Sequence, residues 1–267
     1  MFEDLDWEER SVPGAEDPVE VSARELLRGV FERNPQRVYF SRQLEVQNEN
    51  RYFHWITNRA IRDLEAEGTI LSERRNLISG GTIKVLWHRS YRYYKRGAGK
   101  LVDLVTEYSA SNIGAALGLQ GEALVLEAFA GIQCVMKGRD SKEYDGRVWI
   151  ESDHDVDFIF ELDGRGYGVE VKNTLGYMDR IEFETKIRLC QVLGIRPVFA
   201  ARMLPRSWIH DLIEAGGFAL IFKYQLYPWA HRELAKKVRE ELGLPVDAPR
   251  RLADGTIGRF LRWHRDL

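Results

Sequence analysis

The sequence has little of what would mark a secreted, disulfide-bonded or membrane-spanning protein. Its 267 residues include two cysteines, Cys134 and Cys190, and their separation matches no zinc-ligand spacing. No apolar run approaches the roughly 20 residues of a membrane span, and the first residues, MFEDLDWEER, are too acidic for a signal peptide. We therefore expect a reduced, cytoplasmic protein with no membrane partner.

The composition is typical of a folded protein, but its charge is unevenly distributed. Hydrophobic residues make up 44% of the chain and aromatics 11%, and 267 residues are enough for two domains. Residues 1–21 hold eight acids and one arginine, a charge of −7, whereas residues 22–96 hold fifteen bases and eight acids, a charge of +7. Clustered bases attract phosphates, so the second segment is predicted to bind a polyanion. Arginines on solvated helix faces would give the same pattern.

The N-terminal part of the sequence indicates an acidic arm followed by a helical segment. We predict a flexible arm over residues 1–19, where proline and glycine interrupt any periodicity. A helix is predicted from Ser22, which has the spacing of a capping box with Glu25, and it ends at Asn34-Pro35. The elements predicted next are an extended piece over 38–40, a second short helix, a helix over 52–68, and strands within 69–77 and 82–88.

This order of elements resembles a winged helix-turn-helix domain, to which we assign residues 20–96. In such domains the helix after the turn usually lies in the major groove of DNA. The resemblance assigns nucleic-acid binding to polar side chains that can bond to bases or phosphates. They are Arg51, His54, Asn58 and Arg62 of that helix, and Arg74 and Arg75 of the wing. Winged helices also serve as protein–protein modules, and that alternative stays open.

Two apolar runs on either side of the turn DGRG carry acidic residues that a buried strand would not need. We predict a hairpin of strands 156–162 and 167–173, in a register that places Asp157 opposite Lys172. Side chains alternate between the two faces of a strand. One face of this hairpin is then apolar, while Asp157, Glu170 and Lys172 share the other. A shift of one residue would move Asp157 to the apolar face.

The charged face of this hairpin has the residue types of a metal-dependent hydrolase. Two neighbouring carboxylates repel each other, and a divalent cation removes that repulsion. Hard oxygen ligands suit Mg²⁺ or Mn²⁺, so Asp157, Glu170 and the backbone carbonyl of Val171 are candidate ligands. Lys172 would orient an attacking water or hold a phosphate. This set suits phosphodiester hydrolysis, and the alternative is an exposed, salt-bridged hairpin face.

Asp157, followed on the next strand by Glu170-Val171-Lys172, resembles the signature of the PD-(D/E)xK nuclease superfamily. The order helix, strand, hairpin, helix, strand, helix, strand over about residues 110–228 is similar to the restriction-endonuclease-like core. The proline of the signature is absent before Asp157. The resemblance implies an α/β fold, with a mixed sheet flanked by helices, in a nuclease-like domain over residues 97–267. A C-terminal extension of this domain begins at about residue 231.

Many members of this superfamily carry a further glutamate on the first core helix. The resemblance assigns Glu122 to that catalytic and metal-binding position, and Glu127 is its rival. Asp155 has the same strand parity as Asp157 and is a second candidate aspartate. Polar residues of the helix that follows the hairpin, among them Lys186, are candidates to complete the site or to contact phosphate.

The sequence therefore predicts a Mg²⁺-dependent endonuclease that a winged-helix domain brings to DNA. Restriction, recombination, repair and defence are all compatible with these residues. Cleavage of both strands favours a homodimer, because two-fold symmetry matches the duplex. Two alternatives stay open. One is a non-catalytic DNA-binding protein with a nuclease-like scaffold domain, and the other is a nuclease that processes RNA.

Overall fold

The computed structural model describes residues 17–267, and their helices and strands divide between two units. The first unit comprises residues 17–113 and 237–244, and the second comprises residues 114–236 and 245–267. The predicted α/β class is confirmed, since helices and mixed sheets occur together. Of the arm predicted over residues 1–19, the first sixteen residues lie outside the described part of the chain.

The first unit is built around a three-stranded antiparallel sheet. Its elements in chain order are α1 (Pro18–Arg33), β1 (Val38–Phe40), α2 (Ser41–Asn48), α3 (His54–Ala66), β2 (Ile70–Asn76), β3 (Thr82–His88) and α4 (Tyr94–Tyr108). Strand β3 lies between β1 and β2. The apolar stripes of α1 and α3 pack together in one core, to which Leu27, Phe31, Leu64 and Leu86 belong.

Helix α1 begins before the predicted Ser22, within the segment predicted as an arm. Asp17 is its N-cap, and the Asp17 carboxylate accepts a hydrogen bond from the backbone N–H of Val19 at 2.8 Å. Pro18 occupies the first helical position, where its missing N–H leaves no bond unmade. The proline that suggested an irregular arm is therefore part of a helix start.

The second unit contains a five-stranded mixed sheet. The elements that follow α4 are α5 (Ser111–Gly131), β4 (Val135–Ser141), β5 (Glu143–Tyr144), β6 (Arg147–Val148), β7 (Val156–Leu162), β8 (Arg165–Lys172), α6 (Arg180–Leu193), β9 (Arg196–Ala201), α7 (Arg206–Glu214), β10 (Phe218–Ile221), β11 (Gln225–Leu226), a 3₁₀ turn (Trp229–His231), α8 (Arg232–Leu242), β12 (Val246–Asp247) and α9 (Asp254–Arg265). The strand order is β10-β9-β8-β7-β4. Strands β8, β9 and β10 are parallel, and β7 runs antiparallel to both of its neighbours.

Helices cover both faces of this sheet. On one face Phe158 packs with Phe129 of α5 and Phe260 of α9. On the other face Ile159 packs with Leu189 of α6. The predicted charged face of the hairpin is therefore not an open surface, because α6 lies against it.

The turn between β7 and β8 is shorter than the predicted DGRG turn. It consists of Asp163 and Gly164, which both have positive φ (+50° and +73°), as a type I′ hairpin turn requires. The predicted register is wrong by two residues: the observed pairing, continued by one pair, places Asp157 opposite Glu170 and not opposite Lys172. A shift of two residues preserves the alternation of faces, so the two carboxylates remain on the same face.

Helix α5 is 21 residues long, and among the described residues it is the one helix long and apolar enough to cross a membrane. Leu124, Val125 and Phe129 nevertheless point into the core against the sheet. At Gly121 an added Cβ would lie 2.8 Å from the Cβ of Asn173, so glycine allows the close approach of α5 to the end of β8. A helix in a protein core can thus have the length and composition of a membrane span.

The residues from about 231, predicted as an extension, contribute to both units. Helix α9 adds Phe260 to the core of the second unit, and β12 pairs in parallel with β11. The side-chain amides of Gln43 and Gln47 donate to the backbone carbonyl of Leu242 at 2.9 and 2.7 Å, which explains why residues 237–244 group with the first unit. Helix α4, which spans the boundary placed at residue 96, also groups with the first unit.

Candidate active site

Two carboxylates lie beside each other at one end of the β7–β8 pair. Asp157 is the second residue of β7, and Glu170 is close to the end of β8. The strands are antiparallel, so the start of one adjoins the end of the other. The backbone N–H of Val171 donates a hydrogen bond to Asp157 Oδ2 at 2.6 Å. This bond holds the Asp157 carboxylate against β8.

Glu170 is a buried carboxylate between two lysines. Its side chain is 3% exposed. Lys186 Nζ of α6 donates to Glu170 Oε2 at 2.8 Å, and Lys172 Nζ lies 3.2 Å from Glu170 Oε1. Each lysine has a second carboxylate within reach. Lys172 Nζ is 2.8 Å from Glu182 Oε1, and Lys186 Nζ is 3.7 Å from Asp155 Oδ1.

Burial raises the pKa of Asp157 to about 7, and the negative charge of Glu170 adds to the effect. The hydrogen bond from Val171 and the positive charges of Lys186 and Lys172 act in the opposite direction but do not outweigh burial. A carboxyl group that titrates near neutral pH beside a second carboxylate is a common feature of functional sites. The charged form of Asp157 is therefore disfavoured by the neighbouring charge of Glu170 at neutral pH.

Lys172 is the more accessible of the two lysines and carries a full positive charge. Burial lowers its pKa, but the carboxylates of Glu170 and Glu182 outweigh burial, and the net pKa is raised. Its side chain is 31% exposed, whereas that of Lys186 is 7% exposed. Lys172 is thus the more solvent-accessible ammonium group of the two.

The cluster as a whole has an excess of negative charge and fits a divalent cation in charge and ligand type. Four carboxylates and two ammonium groups leave a formal charge of −2; they are Asp155, Asp157, Glu170, Glu182, Lys172 and Lys186. Hard carboxylate oxygens suit Mg²⁺ or Mn²⁺. Across residues 17–267, no group of three or more His, Cys, Asp and Glu side chains forms a ligand set. Backbone oxygen, water or substrate would have to supply the remaining ligands.

The structure does not bring Glu122 to this carboxylate pair. Glu122 lies on α5, and its Oε2 accepts a hydrogen bond from Arg139 Nη2 of β4 at 2.9 Å. The Arg139 guanidinium lies over the ring of Phe158, on the face of the sheet that α5 covers. Asp157 is the neighbour of Phe158 in the strand and points to the opposite face. The rival Glu127 is exposed on the same helix α5.

The residues predicted to bind nucleic acid differ in exposure. Arg51, Arg62 and Arg74 are exposed. Arg75 is partly buried and pairs with Glu73 at 2.7 Å. At the start of α3, burial lowers the pKa of His54, and nearby Arg42 contributes, so His54 is neutral at pH 7. Asn58, on the same helix, is partly buried.

Sequence reasoning missed the role of α6 in building the site. Glu182 was not singled out, and Lys186 was named only as a candidate to complete the site or to contact phosphate. A usable signal was present: Lys186 falls on the helix face that Phe183, Leu189 and Cys190 bury. A lysine at such a position requires a carboxylate partner.

Comparisons of this chain with protein-family models, with curated proteins and with solved structures give no match.

Proposed function

We propose that this protein is a Mg²⁺-dependent nuclease that hydrolyses phosphodiester bonds in DNA. The observation that carries the proposal is the partly buried Asp157 next to the buried Glu170, with Lys172 beside them, because the three side chains meet at the end of two neighbouring strands. A carboxylate pair, a reachable ammonium group and an excess of negative charge are the components that metal-assisted hydrolysis requires.

The topology of the second unit supports a restriction-endonuclease-like core. A helix, an antiparallel set of strands β4, β7 and β8, and the parallel strands β9 and β10 with helices between them follow the order that the sequence resemblance implies. The first unit supports a winged helix-turn-helix domain in the same way. Its α2 and α3 are joined by a short turn, and β2 and β3 form an antiparallel hairpin after them.

In this proposal each residue of the site has a distinct task. Asp157 and Glu170 would hold the cation, with the Val171 carbonyl as a further ligand. When bound, the cation supplies an activated water and stabilises charge on a phosphate oxygen. Lys172 orients that water or holds the scissile phosphate, since its ammonium group is charged and within reach of solvent. A catalytic role for Glu122 stays a prediction, because its carboxylate is paired with Arg139.

The test is cleavage by the full chain in Mg²⁺ or Mn²⁺. Single-stranded, duplex and branched DNA and an RNA of equal length are the substrates. Asp157→Asn and Lys172→Met should each reduce cleavage by about 100-fold or more. Glu161→Gln is the matched control, because Glu161 lies on the same strand but bonds to Tyr144 instead. Full activity in both site variants would disprove this assignment. Cleavage of RNA alone would identify RNA, and not DNA, as the substrate.

A non-catalytic DNA-binding protein is the second candidate. The observation in its favour is that both oxygens of Glu170 already have a lysine partner, as in a structural ion-pair network. This candidate predicts that the wild-type chain binds DNA in gel-shift assays and cleaves no substrate in either metal.

For the nuclease, a homodimer, measured by light scattering, is expected if both strands of a duplex are cut.

A further inference from the structure

Lys186 occupies an unusual place for a lysine. It lies on the side of α6 that faces the sheet, with Phe183, Leu189 and Cys190 buried on the same side of the helix. Its side chain is only 7% exposed. A buried ammonium group is costly unless a charged partner and hydrogen bonds compensate for its lost hydration. The contacts of Lys186 therefore explain why it is tolerated there.

The partners of Lys186 are two carboxylates at different distances. Glu170 Oε2 accepts its hydrogen bond at 2.8 Å, and Asp155 Oδ1 lies 3.7 Å from the same nitrogen. The other oxygen of Glu170 faces Lys172. A divalent cation that binds Glu170 must therefore compete with an ammonium group that the fold already places there.

We propose that Lys186 is a positioning residue that occupies Glu170 until a divalent cation displaces it. The inference rests on the proposed metal site and adds its regulation. Lys186 keeps the buried carboxylate of Glu170 oriented while no cation is bound. A cation held by Glu170 would displace the ammonium group of Lys186, which would then turn to Asp155, the acceptor already nearby. Lys172 keeps Glu182 as its partner at 2.8 Å and stays available to substrate.

The main consequence is that Lys186 weakens the binding of the metal. Replacing Lys186 by methionine, which has a similar length and no charge, should lower the Kd for Mn²⁺ by about tenfold or more, as expected for the loss of one close charge pair. Lys186→Arg keeps the charge, and its Kd should stay near that of the wild type. A residue with a purely structural role would change stability in these variants without tightening metal binding.

Mn²⁺ alone is the probe, and its binding to the full chain is measured without nucleic acid by electron paramagnetic resonance of the free ion. The proposal is supported if Lys186→Met binds more tightly than the wild type and Lys186→Arg does not. Equal affinity of all three would overturn the role of Lys186 and leave the metal site standing. No binding by any of them, with Asp157→Asn as the reference, would overturn the metal site and this inference together.

A second measurement needs only the wild-type chain, and it decides the matter if the methionine variant does not fold. Acetylation of lysine amines is followed by mass spectrometry with and without Mn²⁺. We expect Lys186 to react faster when Mn²⁺ is present, because the cation releases it from Glu170. Lys137, whose side chain is 40% exposed, is the internal standard and should not change. An unchanged rate at Lys186 would contradict the proposal.

Discussion

At the scale of single residues, the pKa of Asp157 is set by opposing influences, of which burial is the largest. Burial and Glu170 favour its neutral form, while the Val171 N–H and two lysines favour its charged form. The balance leaves its pKa near 7, which is far above the ordinary value of an aspartate. Such a residue contributes less stability in its charged form than in its neutral form.

The first prediction concerns Asp157→Asn and pH in buffers without metal. The folded pKa is raised, so the contribution of the Asp157 proton to stability is complete below the unfolded pKa and disappears as pH rises through about 7. The variant should match the wild type near pH 4 and be more stable by about 2–4 kcal/mol at pH 8. Urea unfolding at both pH values measures this.

The control for this prediction is Asp153→Asn, an exposed residue before β7. Its effect on the free energy of unfolding should be small and independent of pH. If Asp157→Asn is less stable than the wild type at pH 8, the charged form of Asp157 is stabilising, and the assigned direction of the pKa shift is wrong.

Asn173, the residue after Lys172, fixes the end of β8. Its amide nitrogen donates to the carbonyls of Leu117 and Leu226 at 2.8 and 2.7 Å, and its amide oxygen accepts from the Leu226 N–H at 2.6 Å. Asn173→Ala should cost about 3 kcal/mol, because it removes three bonds and leaves buried groups unpaired. Urea unfolding tests it, with the exposed Thr174→Ala as control. A loss as small as that of the control would contradict this role.

Which charges share a face was predictable from the sequence, and their surroundings were not. Strand alternation, together with the apolar pattern of both strands, places Asp157, Glu170 and Lys172 on one face. The register was wrong because Asp163 adopts positive φ and shortens the turn, a choice that DGRG does not dictate. The burial of Glu170 depends on α6 packing against the sheet, which no local pattern encodes.

At the scale of elements, α9 has an unexpected importance for the second unit. Phe260 is completely buried among aromatic rings of that core, and its ring centroid lies 4.9 Å from that of Phe129. His264 of α9 is hydrogen bonded to the hydroxyl of Tyr167 at 2.5 Å and to Asp163 in the hairpin turn at 3.0 Å. The helix therefore holds the β7–β8 hairpin from the side opposite to the candidate site.

We predict that Phe260→Ala lowers the stability of the second unit by about 3–5 kcal/mol, since a large buried ring is lost and a cavity remains. Native-state hydrogen exchange at the β7 and β8 amides measures the effect in the unit concerned. Arg262→Ala, an exposed change on the same helix, is the control and should leave exchange unaltered. Equal protection in both variants would show that α9 is dispensable for the hairpin.

Element types in the long periodic segments were predictable, and the short or late ones were not. The stripes of α1 and α3 and the alternation of β2 and β3 follow from sequence periodicity. Of the apolar run RVWIE (147–151), only Arg147–Val148 forms a strand. The C-terminal part carried no signal for its long-range contacts: Phe260 packs on Phe129, and Leu242 accepts a hydrogen bond from Gln43, each more than 130 residues away in the chain.

At the scale of the whole molecule, the basic residues 22–96 have two different environments. Several arginines are held by carboxylates, such as Arg28 by Glu67 and Arg59 by Glu20. Arg62 and Arg74 are exposed. The exposed arginines are the better candidates for contacts with phosphates, because a paired arginine has already lost much of its positive field.

The salt dependence of DNA binding tests this distinction. The logarithm of the binding constant should fall linearly with the logarithm of salt concentration. Arg62→Ala and Arg74→Ala should each reduce that slope by about 1, the effect of one lost phosphate contact. Fluorescence anisotropy with a labelled duplex measures it. Arg28→Ala should leave the slope unchanged, and a slope that no variant alters would remove DNA as the partner of these arginines.

The return of residues 237–244 to the first unit has a consequence for biosynthesis. Domains generally fold as they leave the ribosome, beginning with the N-terminal one. Here Gln43 and Gln47 must wait for the carbonyl of Leu242, which is translated almost 200 residues later. The first unit therefore gains its last contacts only after most of the second unit has been translated. Until α8 has been translated, the basic segment of the nascent chain lacks this closing contact and is open to proteolysis.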